Sequence, residues 1–298
     1  MKKLFALAIL FISVLSCQHD GKKTAYKKNI QGDWVTDFVK NDANKPFYIF
    51  SFQDTLCSYL YPSGAYSGFT TNSDTLVISE RIQRRGDKVS GGEEKYHFRI
   101  LELDDSNLVL TPVTKSTLEL LGTSGEGSDT IHLKKMPAKN NAGIKRIGFY
   151  SGPCFGVCPS MYLEIDSAGN ILFNGLRYTE KEGLFAGKIP SPELKQILRR
   201  VHNIDLDNLK KEYAARWTDD QACRIKIETD ENTYETSVYG FDKEPVALRI
   251  LFHKLMETYK TARLKQDSTI IEKFAFPEFQ QSGFPTPPER DSNSITLH

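Results

Sequence analysis

The sequence has little net charge, few cysteines and no hydrophobic run long enough to span a membrane. Its formal charge is +1 over 298 residues and becomes −1 without Lys2 and Lys3. Such near-balance offers no electrostatic footprint for nucleic acid. The N-terminal apolar run, residues 4–15, falls short of the roughly 20 residues a spanning helix requires. The six histidines, His19, His97, His132, His202, His253 and His298, are scattered, with no His-Glu-x-x-His and no Cys/His ligand array, so zinc hydrolysis has no support. A Gly-x-Ser-x-Gly elbow and a Walker phosphate loop are missing, and Gly125-Glu126-Gly127 lacks the strand-to-helix context of a nucleotide fingerprint. Neither a catalytic constellation nor a cofactor is therefore expected. Asp104-Asp105 and Asp219-Asp220 read as solvated turns, and Arg84-Arg85 and Lys210-Lys211 as exposed faces.

What is present begins at the N-terminus. Lys2 and Lys3 form a positive n-region, residues 4–15 an apolar h-region, and Ser16 a small residue ahead of Cys17. Val14-Leu15-Ser16-Cys17 resembles the lipobox of bacterial lipoproteins, although Leu15 fits that pattern less well than a smaller residue would. The resemblance implies a signal peptide over residues 1–16, acylation of Cys17, and a lipidated tether over 17–29. Several acyl chains, each contributing roughly 0.8 kcal/mol per buried methylene, hold a protein on a membrane far more firmly than one would. Gln18, not aspartate, follows the cysteine, which points to the outer membrane; the leaflet stays open. An ordinary secretory peptide is the alternative, and either one exports the chain.

Export makes disulfides permissible. With Cys17 lipidated, Cys57, Cys154, Cys158 and Cys223 remain of the five cysteines. A hydrophobic fraction of 39%, with 18 Phe and 13 Tyr, is ample for packed cores. A mature length of roughly 270 residues favours two domains.

From residue 30 to 136 the apolar pattern has mostly period two, as in Tyr96, Phe98 and Ile100, and turn clusters interrupt it about every ten residues. Asp104-Asp105-Ser106-Asn107 reads as a hairpin turn; residues 116–121 are ambiguous. Through Gly32-Asp33-Trp34 and the meander that follows, this stretch resembles the small lipocalin-like domains of bacterial envelope proteins. That resemblance implies an all-β barrel with the tryptophan plugging one end. Phe47, Tyr48, Phe50, Phe52, Tyr59, Tyr61, Tyr66 and Phe69 would form its core or line a cavity for a small apolar ligand.

Residues 137–143 read as a linker. An α+β domain is expected over 144–264, an antiparallel sheet with about three helices. Ser191 should cap a helix with Pro192 in its first turn and Glu193 near its positive end, burying Leu194, Ile197, Leu198 and Val201. Asp205 should cap a second helix reaching Tyr213. The last begins near Pro245 and buries Leu248, Leu251, Phe252, Leu255 and Tyr259. Gly152-Pro153-Cys154-Phe155-Gly156-Val157-Cys158-Pro159, with the strand and turn that follow, resembles a bacterial domain family of unknown function marked by Cys-x-Gly-x-Cys-Pro. The family implies no activity; it implies an acidic position near Asp219 or Asp220. Residues 265–298 form a Phe/Pro-rich, non-helical extension that packs on its own domain or captures a partner.

The cysteine pair has three readings. A Cys154–Cys158 disulfide would shape a turn, since closing five residues removes only about 2 kcal/mol of unfolded-state entropy; Gly156 would take a positive φ and Pro159 would end the turn. Redox exchange would need an exposed, reducible bond. Metal binding would recruit Cys223 and a histidine. The functions that follow are a non-enzymatic envelope lipoprotein for binding or assembly, a thiol-disulfide enzyme or chaperone, and a carrier of a small apolar ligand. The expected partners are the membrane through the lipid anchor, and a protein or a small apolar molecule.

Overall fold

The computed structural model describes residues 30–37, 47–59, 67–81, 93–122 and 130–278. The signal-like segment, Cys17, the tether, Tyr61, Tyr66, Arg84-Arg85, Gly125-Glu126-Gly127 and residues 279–298 lie outside the described residues. The chain divides into two compact units, one ending at Met136 and the other starting at Pro137.

The first unit is a closed barrel of eight antiparallel strands in chain order: β1 (Gly32–Thr36), β2 (Ile49–Gln53), β3 (Leu56–Tyr59), β4 (Ser67–Asn72), β5 (Thr75–Arg81), β6 (Glu93–Leu103), β7 (Asn107–Pro112) and β8 (Ile131–Lys135). Trp34 pairs with Lys135 where β1 meets β8, which closes the barrel and leaves no sheet edge. Alternate residues point inward, so Tyr48, Phe50, Phe52, Phe69, Leu76, Ile78 and Phe98 share one buried cluster. The Phe50 ring meets Phe98 edge-on at 5.8 Å, and Phe52 meets Phe69 at 5.0 Å. Trp34 is fully buried, donates its indole N–H to the Ile30 carbonyl at 2.7 Å, and carries the Lys135 ammonium 5.1 Å from its ring. Gly32 holds a φ of 125°, which L side chains rarely adopt, and a Cβ there would also lie 2.8 Å from Lys135 Cε. The ambiguous stretch is a short helix, α1 (Lys115–Leu120), started by Thr114, whose hydroxyl accepts from the Thr117 N–H. At the predicted hairpin, Asp104 Oδ1 accepts from the N–H groups of Ser106 and Asn107, each at 2.7 Å. The Asn107 side chain and these two amides hold its carboxyl below the usual range.

The second unit has an eight-stranded sheet. Its strands are β9 (Ile144–Ser151), β10 (Ser160–Asp166), β11 (Asn170–Arg177), β12 (Gly183–Lys188), β13 (Glu212–Ala214), β14 (Ala222–Thr229), β15 (Thr233–Tyr239) and β16 (Arg263–Gln266), in the order β13-β15-β14-β9-β10-β11-β12-β16. The expectation of a purely antiparallel sheet is corrected by β13, which runs parallel to β15. No helix follows Asp205; its carboxylate instead binds the Asn208 amide at 3.0 Å in a turn, and Tyr213 lies in β13. Two α-helices remain, α2 (Ser191–His202) and α3 (Val246–Thr261), with a 3-10 helix over Ser268–Glu272 inside the stretch expected to be non-helical. Pro190, not Ser191, occupies the cap of α2, and no side chain caps it. The 137–143 stretch is fastened to the end of α2: the Asn140 amide donates to the carbonyls of Val201 and Ile204 at 3.0 and 2.8 Å.

Both faces of this sheet are covered. On one, Phe149 packs on Phe252 of α3 and Phe173 stacks on Tyr259 at 4.8 Å. On the other, Tyr150 and Tyr162 lie under Ile270, Phe274 and Phe276. Those last residues belong to a strap that follows β16 and crosses the strands. Glu164 of β10 faces this side and is 1% exposed. One of its oxygens accepts from the Ala275 N–H at 2.9 Å and from Arg146 Nη1 at 3.1 Å; the other accepts from the Phe276 N–H at 2.8 Å and from the Tyr162 hydroxyl. Burial, with the Glu164 charge beside it, pushes the Tyr162 phenol far above its usual range. Gly148 leaves room for the strap, since a Cβ there would sit 2.5 Å from the Phe276 ring. Lys226 lies 4.9 Å over that ring and 2.7 Å from Glu278.

Between the helices, Lys254 Nζ lies 2.6 Å from Glu193 Oε1, both side chains being buried. The Thr261 hydroxyl donates to the other Glu193 oxygen. Burial lowers Lys254 to about 8 even though the Glu193 charge opposes the shift.

Glu164→Ala takes the acceptor from two strap amides and leaves Arg146 with Glu228 alone; it should cost about 2–4 kcal/mol in urea unfolding of the second unit, with new protease cleavage near Ala275. Lys254→Met alone should cost about as much, because it leaves Glu193 buried and charged. The Glu193→Leu/Lys254→Met pair should recover most of that loss in a double-mutant cycle.

Candidate functional site

The chain joining β9 to β10, residues 152–159, contains no charged side chain. Cys154 and Cys158 are disulfide-bonded within it, with Cα atoms 5.7 Å apart. Phe155 and Val157, between the cysteines, are 90% and 79% exposed. Gly156 does not adopt the positive φ expected of it. The loop is thus a covalently closed tip presenting two apolar side chains.

Its neck is held without the sulfur bond. The buried amide of Gln221 donates to the Gly152 carbonyl and to the Pro159 carbonyl, both at 3.0 Å, so one side chain ties the two ends of the loop together. Ser151 Oγ donates to the same Pro159 carbonyl at 2.7 Å. The Gly152 N–H bonds the Ala222 carbonyl at 2.7 Å, and the Phe155 N–H reaches the Asp219 carbonyl at 3.2 Å. Asp219 offers that carbonyl from a left-handed backbone, φ 71°. Asp220 accepts the Trp217 indole N–H at 2.8 Å and the Gln221 N–H at 2.7 Å. Both members of the acid pair therefore build the turn that supports the loop.

Cys223 stands opposite Ser151 in the sheet and is fully buried. Burial pushes its thiol well up, and the charges of Asp220 and Glu244 push further, so it supplies no ready thiolate. Cys57, buried in the barrel, is raised by burial as well. With Cys154 and Cys158 bonded to each other, the metal reading loses two of its three cysteines. Among the described residues no three His, Cys, Asp or Glu side chains are grouped to hold a metal ion.

A cleft of about 390 Å³ opens elsewhere in this unit, lined by Asn140, Leu206, Asp207, Asp230, Glu231 and Tyr234 among others. The Tyr234 hydroxyl donates to Asp207 at 3.0 Å.

Gln221 is the residue that sequence reading missed. It lies between the acid pair and a strand, and neither composition nor spacing marks a glutamine as the clasp of a loop some sixty residues earlier. Gln221→Ala should leave the Gly152 carbonyl without its donor and the Pro159 carbonyl with Ser151 Oγ alone, costing about 1–3 kcal/mol in chemical denaturation. Hydrogen exchange at Phe155 and the rate of disulfide reduction by dithiothreitol should both rise.

Residues 145–259 match a family described as a domain of unknown function (DUF6438). The match starts within β9, takes in the disulfide loop and ends in α3; the barrel, β16 and the strap fall outside it. None of the curated proteins and none of the solved structures matches the chain.

Proposed function

We propose that the chain is an exported lipoprotein, held on the outer membrane through acylated Cys17, with a non-enzymatic binding or assembly role in the cell envelope. The observation that carries this reading is Phe155, 90% exposed on a loop closed by a disulfide and clasped by Gln221. Leaving a large apolar side chain in water forgoes roughly 1.5–3 kcal/mol of burial. A loop ordered before it meets its partner has less conformational freedom to lose on binding. A fixed, uncharged projection suits association better than bond-making chemistry.

Other features support the same reading. The lipobox-like run before Cys17 argues for export and anchoring, and the Cys-x-Gly-x-Cys-Pro pattern for a domain common in exported proteins. The barrel of the first unit, with Gly32-x-Trp34 on its first strand, is read as lipocalin-like. Its interior carries packed aromatic rings, which favours a structural or display role for it. A thiol-disulfide enzyme would have to open the Cys154–Cys158 bond and would find Cys223 buried beside acidic charge.

The anchor is tested by expressing Cys17→Ala with a C-terminal tag and separating membrane from soluble fractions. The parent chain should sediment with outer membranes and the variant should not. Undiminished membrane association of the variant would overturn the lipoprotein assignment.

A further inference from the structure

The disulfide loop has company. Ser160 pairs with Arg177, Cys223 with Ser151, and Ala222 with Tyr239, so residues 152–159, 176–182 and 215–221 all emerge at one end of the second sheet. Leu176, Tyr178 and Trp217, at 42%, 44% and 46% exposure, join Phe155 and Val157 there. Among the described residues of this unit, only Ile271 is a large exposed hydrophobic lying elsewhere.

The five side chains differ in kind as well as exposure. The most exposed, Phe155 and Val157, are pure hydrocarbon. The half-exposed ones include two amphipathic rings: Trp217, whose indole N–H is bound to Asp220, and Tyr178, with the Arg177 guanidinium 4.6 Å over its ring. Hydrocarbon thus leads, and rings with a polar side follow, the same order met on passing from the core of a bilayer to its polar interface. At 90% and 79% exposure, Phe155 and Val157 stand out in solvent and do not line a cleft. Charge is absent from 152–159 and mixed in the flanking segments, where Arg177, Lys181 and Arg216 stand against Glu180, Glu182, Asp219 and Asp220, a net of −1. A surface with no dominant sign of charge matches an uncharged, apolar medium.

We propose that this end of the second unit inserts into a lipid surface, with Phe155 and Val157 entering the hydrocarbon and Trp217 and Tyr178 seated at the interface. The proposal rests on the envelope location given above and is independent of acylation at Cys17.

The test uses the chain from Gln18 onward, unacylated, with phosphatidylcholine vesicles. Of the two tryptophans, Trp34 is fully buried in the barrel, so a vesicle-induced blue shift of emission reports Trp217. The parent chain should float with neutral vesicles and shift to the blue, and about 0.5 M salt should leave both unchanged. Replacing Phe155 and Val157 together by Asp should lower vesicle partitioning at least about tenfold. An intact disulfide and an unchanged thermal transition would show that this double variant is folded. Trp217→Phe should abolish the shift and keep the flotation. The proposal is overturned if the parent chain does not float, if the double Asp variant floats equally well, or if binding requires anionic lipid and disappears in salt. A dimer that the Asp variant dissolves, with neither chain floating, would assign the face to a second copy. Because this chain lacks Cys17, failure here leaves the anchor standing, and a failed anchor leaves this result standing.

Discussion

Glu164 is a carboxylate among Tyr150, Tyr162, Phe274 and Phe276, where an unpaired charge would cost several kcal/mol. It is tolerable because Arg146 supplies a guanidinium and the strap supplies two backbone N–H groups. The strap in turn pairs with no strand at that point, so its own amides depend on Glu164. Each side of the contact satisfies a polar group the other would otherwise leave buried and unpaired. The aromatic packing of the strap, the space left by Gly148 and the Lys226 contacts all presuppose this alignment. With the strap in place, six of the seven residues of β10 are buried, and the sheet has two covered faces.

The two units meet the demands of a β-sheet differently. The barrel pairs β1 with β8, and its inward residues, joined by Ile30 before β1 and by Leu120 and Leu121 at the end of α1, complete a core. The open sheet needs helices on one face and the strap on the other. Its helix face holds a second buried charge, Glu193, matched by Lys254. Replacing both by apolar residues would keep the packing, so the pair is better understood as fixing how α2 meets α3 than as a large source of stability.

Much of this was legible in the sequence. Period-two alternation located the barrel strands, and Asp104 marked a hairpin that forms. The apolar spacing of Leu248, Leu251, Phe252, Leu255 and Tyr259 gave the buried stripe of α3. The failures have physical reasons. Glu193 was read only as an acid near the positive helix end, but Glu193, Gln196 and Arg200 are buried while Leu194 and Leu198 are only partly so, and Lys254 of α3 faces Glu193. β13 reads as helix because a three-residue parallel edge strand is specified by β15, which lies twenty residues away, and not by local pattern. Glu164 and Gln221 take their roles from residues more than sixty or a hundred positions distant, and no periodicity records such partners. The cysteine spacing suggested the closed loop, whereas the direction of Phe155 and Val157 required coordinates.

The strap's place in the chain has a consequence for how the protein is made. Synthesis proceeds from the N-terminus, so the barrel strands and the second sheet are available before residues 274–278 arrive. Until then Tyr150 and Tyr162 have no cover and Glu164 lacks two of its donors. The second unit is therefore completed by a piece that emerges after all of its strands, and a product cut short before Phe274 would display an apolar, charge-bearing sheet face that surveillance proteases can distinguish from a finished molecule.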